Sequence, residues 1–167
     1  MVNKLLSTPH DWTLTIVRVT LGVVFFAHGA QKMLGWYGGY GFEATMSAFT
    51  TQMGIPAVFA FLAIAAEFFG GLGLIFGLLS RVAALGVVSV MAVAIKMAHL
   101  PHGLFMNWSG QQQGEGFEFH LLAIAMGIAI LTRGAGALSL DHWLSSRAIP
   151  GSVASRGSLP KGAAVRR

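Results

Sequence analysis

The stretch Pro56–Leu79 reads PAVFAFLAIAAEFFGGLGLIFGLL, an apolar run whose only ionisable side chain is Glu67. A helix that crosses the hydrocarbon core of a bilayer takes about 20 mostly apolar residues. This run supplies them, and no alternation of polar and apolar residues competes with a helical reading. Three more segments of the same kind flank it, Trp12–Met33, Arg81–His99 and Phe117–Thr132. The last is the shortest, about 24 Å at 1.5 Å per residue, which places its polar start near the membrane interface.

Composition agrees with lipid as the solvent. Of 167 residues, 54% are hydrophobic and 10% charged, with a mean hydropathy of +0.67. A soluble domain carries roughly 25% charged residues, and so few charges leave large apolar patches if the surface faces water. Disorder requires low hydrophobicity and is excluded for the body of the chain. The net charge of +5 sits mainly after residue 132 and reads as topology information, not as the basic face of a nucleic-acid module. There is no cysteine, so this chain supplies no thiol–disulfide relay, Cys-bound zinc, iron–sulfur cluster or Cys nucleophile. The 22 glycines suit membrane helices that pack closely.

The first segment reads as a retained helix and not a cleaved signal: Arg18 interrupts its apolar run, no small-x-small site follows, and its end at His28–Lys32 is polar. Lys and Arg set orientation. Lys4, Arg81, Arg133, Arg147, Arg156, Lys161, Arg166 and Arg167 fall on one side of two helical hairpins, with Lys32 and Lys96 toward the other. The expected fold is therefore all-α, an integral membrane four-helix bundle with both termini cytoplasmic. Residues 1–147 form the transmembrane domain and 148–167 a basic, disordered cytoplasmic tail. The connections 34–55 and 100–116 face outward. In the first, Phe42, Met46, Phe49 and Met53 share a helical face, which predicts a short surface helix in that outer loop. The Gly–aromatic turn Gly35–Gly41 before it suits the headgroup layer.

Ionisable groups at membrane depth are costly and face a bundle interior or a partner. Glu67 lies about 16 Å into its helix, close to the midplane. Three readings of it stand side by side: an ion pair with Arg18 on the first helix, a protonated carboxyl, or a direct part in proton or ligand handling. The outer helix ends gather a second group. His28 and Lys32 share a face of the first helix, Lys96 and His99 are three apart on the third, and Glu115, Glu118 and His120 open the fourth. These residues read either as a wet interface of snorkelling side chains or as an outward-open polar pocket for a small polar or quinone-like molecule. A metal site on the histidines lacks an HExxH or Glu-x-x-His spacing, and none is assigned. A b-type haem held by two histidines on different helices is a further, weaker reading.

The order of these pieces resembles the DoxX family of small four-helix bacterial membrane proteins. It runs Arg18…Gly22…His28-Gly29-Ala30-Gln31-Lys32 with Leu34–Gly39, then Glu67-Phe68-Phe69-Gly70-Gly71 with Gly77-Leu78 and Arg81–Ala84. Next come His99…His102–Asn107, Gly116–Phe119 and Gly134–Asp141. The resemblance implies a multi-pass protein of the bacterial inner membrane that serves as a membrane subunit of an oxidoreductase. The family is named with membrane subunits of a thiosulfate:quinone oxidoreductase, and some members are linked to quinone or oxidative stress. By motif position Arg18, Lys32, Glu67, His99 and Glu118 match the family's recurring polar residues, while His120 stands where such proteins often carry Pro.

The leading functional expectation is a membrane component that binds quinone or a small redox-active molecule in an outward-facing polar pocket. Glu67 and Glu118 are its candidate catalytic residues, and Arg18, His28, Lys32, Lys96 and His99 its candidate binding residues. Besides the lipid bilayer, a redox partner protein and a homodimer are candidate partners; nucleic acid is not. Two other functions fit the same residues: a proton-coupled transporter of a small solute gated by Glu67, and a non-catalytic membrane anchor or assembly factor for redox enzymes.

Overall fold

The computed structural model describes residues 5–147; Lys4 and the tail 148–167 lie outside the described residues. Among the described residues every regular element is helical. α1 spans Trp12–Leu34, α2 Gly41–Ser47, α3 Ala57–Phe76, α4 Ser80–Ala94, α5 Glu118–Arg133 and α6 Leu140–Arg147. α2 continues as a wide π-turn, Ala48–Gln52, and α4 as a π-turn, Ile95–His99, then a 3-10 turn, Leu100–His102. Among the described residues three helices are long and apolar enough to cross a membrane: Trp12–Leu34, Ala57–Phe76 and the continuous Ser80–His102. With 16 residues, α5 falls short of the roughly 30 Å hydrocarbon thickness.

Local chemistry sets the boundaries. Asp11 caps α1, its carboxylate accepting from the Thr13 and Leu14 amides at 2.8 and 3.2 Å, which satisfies two of the donors a helix start leaves free. Gly35, at φ 73°, closes α1 in the left-handed conformation that favours glycine. Pro56 precedes α3, and Gly77 at φ 68° ends it.

α1 packs on α3, α3 on α4, α4 on α5, and α5 returns to α1. The shared core contains Leu21, Phe25, Leu74, Val87, Met91 and Ile130. The α1–α3 contact is the closest. A Cβ on Gly29 would strike the backbone of Glu67 and Phe68, and one on Gly22 would lie 2.8 Å from the Ile75 amide nitrogen. Small residues of this kind let helix backbones touch where the hydrophobic effect does not drive association. They also fix the register: Gly22 lies level with Leu74–Ile75 and Gly29 with Glu67–Phe68. The outward faces remain apolar, with Ile16, Phe59 and Leu122 all more than 60% exposed, as lipid contact requires.

The surface helix expected over 42–53 is present as α2 and its π-turn, folded back on the ends of α1 and α3. Phe42 sits edge-on to Phe61 of α3 at 6.3 Å.

Candidate functional site

The glycine register decides which charges meet. Arg18 precedes Gly29 by eleven residues, about 16 Å along the helix axis, so it cannot reach Glu67. The Arg18–Glu67 pair considered from sequence is therefore not formed. Glu67 instead pairs with Lys32, which stands one turn beyond Gly29 on the same face of α1. The Glu67 side chain is 6% exposed and that of Lys32 26%, so the pair opens toward solvent on its lysine side. Lys32 also lies in the last turn of α1, where a cation complements the helix dipole.

Arg18 is 1% exposed and serves the opposite end of the bundle. Its Nε donates to the Ala135 carbonyl and one Nη to the Ile75 carbonyl, both at 2.8 Å. Further donations reach the carbonyls of Leu74 and Leu138. The guanidinium thus caps the last turn of α3 and ties the 135–138 segment to it. Arg81 does the same for α5, donating to the carbonyls of Leu131 and Thr132 and, from its other Nη, to Ser7 at 3.1 Å. Asp141, also 1% exposed, accepts from the Leu79 and Ser80 amides at 2.8 and 2.9 Å and so caps α4. That cap holds Leu79 at φ 49°, a conformation non-glycine residues rarely adopt.

A histidine cluster lies where α1, α4 and α5 approach. His99 and His120 have ring centroids 4.0 Å apart. His28, exposed on α1, faces Phe119 at 6.2 Å. His99 Nδ1 is 2.8 Å from the Glu115 carbonyl. His120 is 5% exposed, and its Nδ1 is buried without a partner among the described residues. Lys96 and His99 stand three apart at the outer end of α4. The π-turn over Ile95–His99 widens the helix there, leaving Lys96 exposed and His99 half-buried.

Glu118 is engaged with the outer loop. Its Oε1 accepts from the Met106 amide at 3.0 Å and from Trp108 Nε1 at 2.9 Å. The Glu115 carboxylate accepts from the Asn107 amide at 2.6 Å. The two carboxylates staple the 103–108 loop onto the start of α5. Among the described residues no group of three or more His, Asp or Glu side chains is arranged to hold a metal ion.

The candidate residues therefore separate into four places: Lys32 with Glu67, the histidines with Lys96 nearby, Glu118 on the outer loop, and Arg18 alone at the far end. Arg81, Asp141 and Trp108 were not singled out from sequence as ligands of neighbouring elements. Their signals were the arginine opening a helix and the Gly134–Asp141 run, neither of which reveals its partner.

The DoxX family model matches residues 13–100, more than half the chain. The chain belongs to the DoxX family. Over 129 residues this DoxX chain is 27% identical to the protein named "Putative oxidoreductase CatD" of Bacillus subtilis, covering 77% of this chain and 84% of that one. No solved structure matches it. The matched part of this DoxX protein holds Arg18, His28, Lys32, Glu67, Lys96 and His99, whereas Glu118 and His120 lie beyond it.

Proposed function

We propose that this DoxX protein is a membrane component of an oxidoreductase system that binds quinone, or a molecule of similar redox chemistry, beside Lys32, Glu67, His28 and His99. In this reading the four helices α1, α3, α4 and α5 all span the bilayer of a bacterial inner membrane with both termini cytoplasmic. Arg81, Arg133 and Arg147 mark the inner side and Lys32 and Lys96 the outer. The short α5 then relies on the stapled loop to cover its outer end.

The observation that carries the reading is the Lys32–Glu67 pair, a carboxylate 6% exposed in the middle of an otherwise apolar helix. Charges at that depth in membrane proteins mark ligand or proton pathways more often than packing. Packing at the arginine end is already served by other residues. Lys32 holds the Glu67 carboxyl group in place, and a positioned group is what general acid–base work on a diphenol or quinone needs. Electrons pass to or from a partner protein. The likeness to a protein named as an oxidoreductase supports the same class.

The test is anaerobic calorimetry of the purified protein in nanodiscs against a short-tail naphthoquinone and its quinol. Binding that weakens at least tenfold in Glu67→Gln and Lys32→Ala, with both variants folded, supports the reading. Absence of binding of either form, or binding indifferent to both substitutions, overturns it.

A further inference from the structure

The last helix, α6, carries two unlike faces at the arginine end of the bundle. Its inner face is clamped to the α3–α4 turn: the Asp141 amide donates to the Gly77 carbonyl at 2.8 Å, and the Asp141 carboxylate caps α4. Leu140, Trp143, Leu144 and Arg147 fall at the i, i+3, i+4 and i+7 positions of one outward face. All four are exposed, Trp143 at 48%. Beside this face an open groove of about 480 Å³ is lined by Phe76, Leu138, Leu140 and Trp143, with His142 and Ser146. That is the scale of a single small-molecule site, and its lining is mainly apolar. We propose that the groove binds an anionic phospholipid, with an acyl chain along Phe76, Leu138 and Leu140 and the phosphate at the Arg147 guanidinium. The inference rests on the bundle standing in a bilayer and is independent of quinone binding.

Charge selects this occupant over a zwitterionic lipid or a second copy of the chain. The Arg147 guanidinium stands 4.1 Å over the Trp143 ring, a cation–π contact. Stacking occupies the face of the guanidinium and leaves the N–H groups around its edge, the arrangement that pairs with phosphate oxygens. Among the described residues Arg147 meets no carboxylate. Of the six acidic residues, only Asp11 and Asp141 belong to this end, and both are engaged in helix caps. Cations accumulate there instead. Arg133 ends α5, and the sequence after Arg147 adds Arg156, Lys161, Arg166 and Arg167 with no Asp or Glu. A region of one sign repels its own copy and attracts anionic headgroups. Trp143 adds the amphipathic ring that membrane–water interfaces favour.

Trp143 is the reporter for the test. Trp12→Phe, Trp36→Phe and Trp108→Phe leave it the sole tryptophan of the full chain. The protein is reconstituted in phosphatidylcholine bilayers, and Trp143 quenching by acyl-brominated phosphatidylglycerol is compared with quenching by acyl-brominated phosphatidylcholine. A basic residue beside an anionic lipid surface is worth about fivefold in affinity, so phosphatidylglycerol should be held at least about fivefold more tightly. Arg147→Gln should bring the two lipids within about twofold of each other. Replacing the four tail cations by Gln, with Arg147 kept, should preserve at least about a threefold preference. Native mass spectrometry of the protein with all its tryptophans gives a second reading. At equal supply phosphatidylglycerol adducts should outnumber those of phosphatidylcholine, and Arg147→Gln should remove the excess.

Equal quenching by the two lipids overturns the inference, because a groove that any lipid fills has no headgroup selectivity. A preference that survives Arg147→Gln in a folded protein overturns it, as does one that vanishes with the tail cations while Arg147 remains. Quenching by neither lipid means that protein covers the groove or that it stands clear of the membrane, and overturns it as well. None of these results touches the Lys32–Glu67 reading.

Discussion

Replacing Arg18 by methionine should destabilise the protein by about 3–5 kcal/mol, the cost of removing one side of a buried charged network. The guanidinium is 1% exposed and donates to four carbonyls, those of Leu74 and Ile75 at the end of α3 and of Ala135 and Leu138 beyond α5. A hydrogen bond to a charged group contributes about 1.5–3 kcal/mol. The four do not simply add, because the Leu74 carbonyl also accepts from the Gly77 amide at 3.3 Å and is not orphaned. The buried Asp141 carboxylate, within electrostatic reach of the guanidinium, loses a cation as well. Arg18→Lys restores the charge. A single ammonium cannot meet the carbonyls of two separate segments, so it should recover less than half the loss. The assay is reversible unfolding in mild detergent micelles followed by helical circular dichroism, with quinone and quinol affinity measured on the same preparations under stabilising conditions. A folded Arg18→Met protein of wild-type stability that no longer binds ligand would refute the capping argument and return Arg18 to the binding residues.

Other substitutions probe the remaining contacts. Gly29→Ala drives a methyl into the Glu67–Phe68 backbone and should cost about 1–3 kcal/mol, with weaker ligand binding as Lys32 shifts from Glu67; wild-type thermal stability would show that α1 and α3 separate freely. Asp141→Ala removes the cap on Leu79 and Ser80 at about 1–2 kcal/mol, and Asp141→Asn, with one acceptor oxygen for two amides, should recover only part of it, a difference read from unfolding midpoints. Glu118→Ala should speed hydrogen exchange of the Met106 amide by about tenfold or more, whereas Glu118→Gln retains an acceptor and should slow it again. Ligand binding lost in Glu118→Gln at unchanged Met106 exchange would place Glu118 at the ligand instead of the loop.

The helices were legible because lipid imposes a length and an apolar composition that few other environments demand. The segments read as Trp12–Met33 and Pro56–Leu79 differ from α1 and α3 only at their glycine and proline ends. The partners of Arg18 and Glu67 were not legible. Which charge meets which depends on the axial register of two antiparallel helices, and composition does not report register. Gly22, Gly29 and Gly71 encode it, yet only their collision with a neighbouring backbone shows which residues lie level. The π-turn over Ile95–His99 was not legible either, because helical spacing rules assume 3.6 residues per turn. Glu118 read as a free carboxylate because a loop that folds back on a helix start leaves no periodic trace. The α6 helix went unforeseen too, with too few residues and too weak an apolar face to stand out from a polar run.

Hydrogen-bond accounting compares the polar groups at the two ends of the bundle. At the arginine end Arg18 meets four carbonyls, Asp141 two amides and Arg81 three carbonyls, while Arg81 Nε, Ser80 Oγ and His142 Nδ1 stay without partners among the described residues. A satisfied network rigidifies a fold and leaves little for a ligand to gain. At the other end the account stays open. Lys32 satisfies Glu67 from one side while remaining 26% exposed, and His120 buries an unpartnered Nδ1. Unsatisfied groups in a low-dielectric setting carry a standing cost, and a ligand that completes their hydrogen bonds recovers it as binding energy. Unpartnered atoms thus occur at both ends, and the ends differ instead in accessibility: Arg18 is 1% exposed, whereas the Lys32 side chain is 26% exposed. On the reading proposed above, binding falls to the partly exposed Lys32 and Glu67 pair, and architecture to Arg18, whose guanidinium is already engaged by four carbonyls.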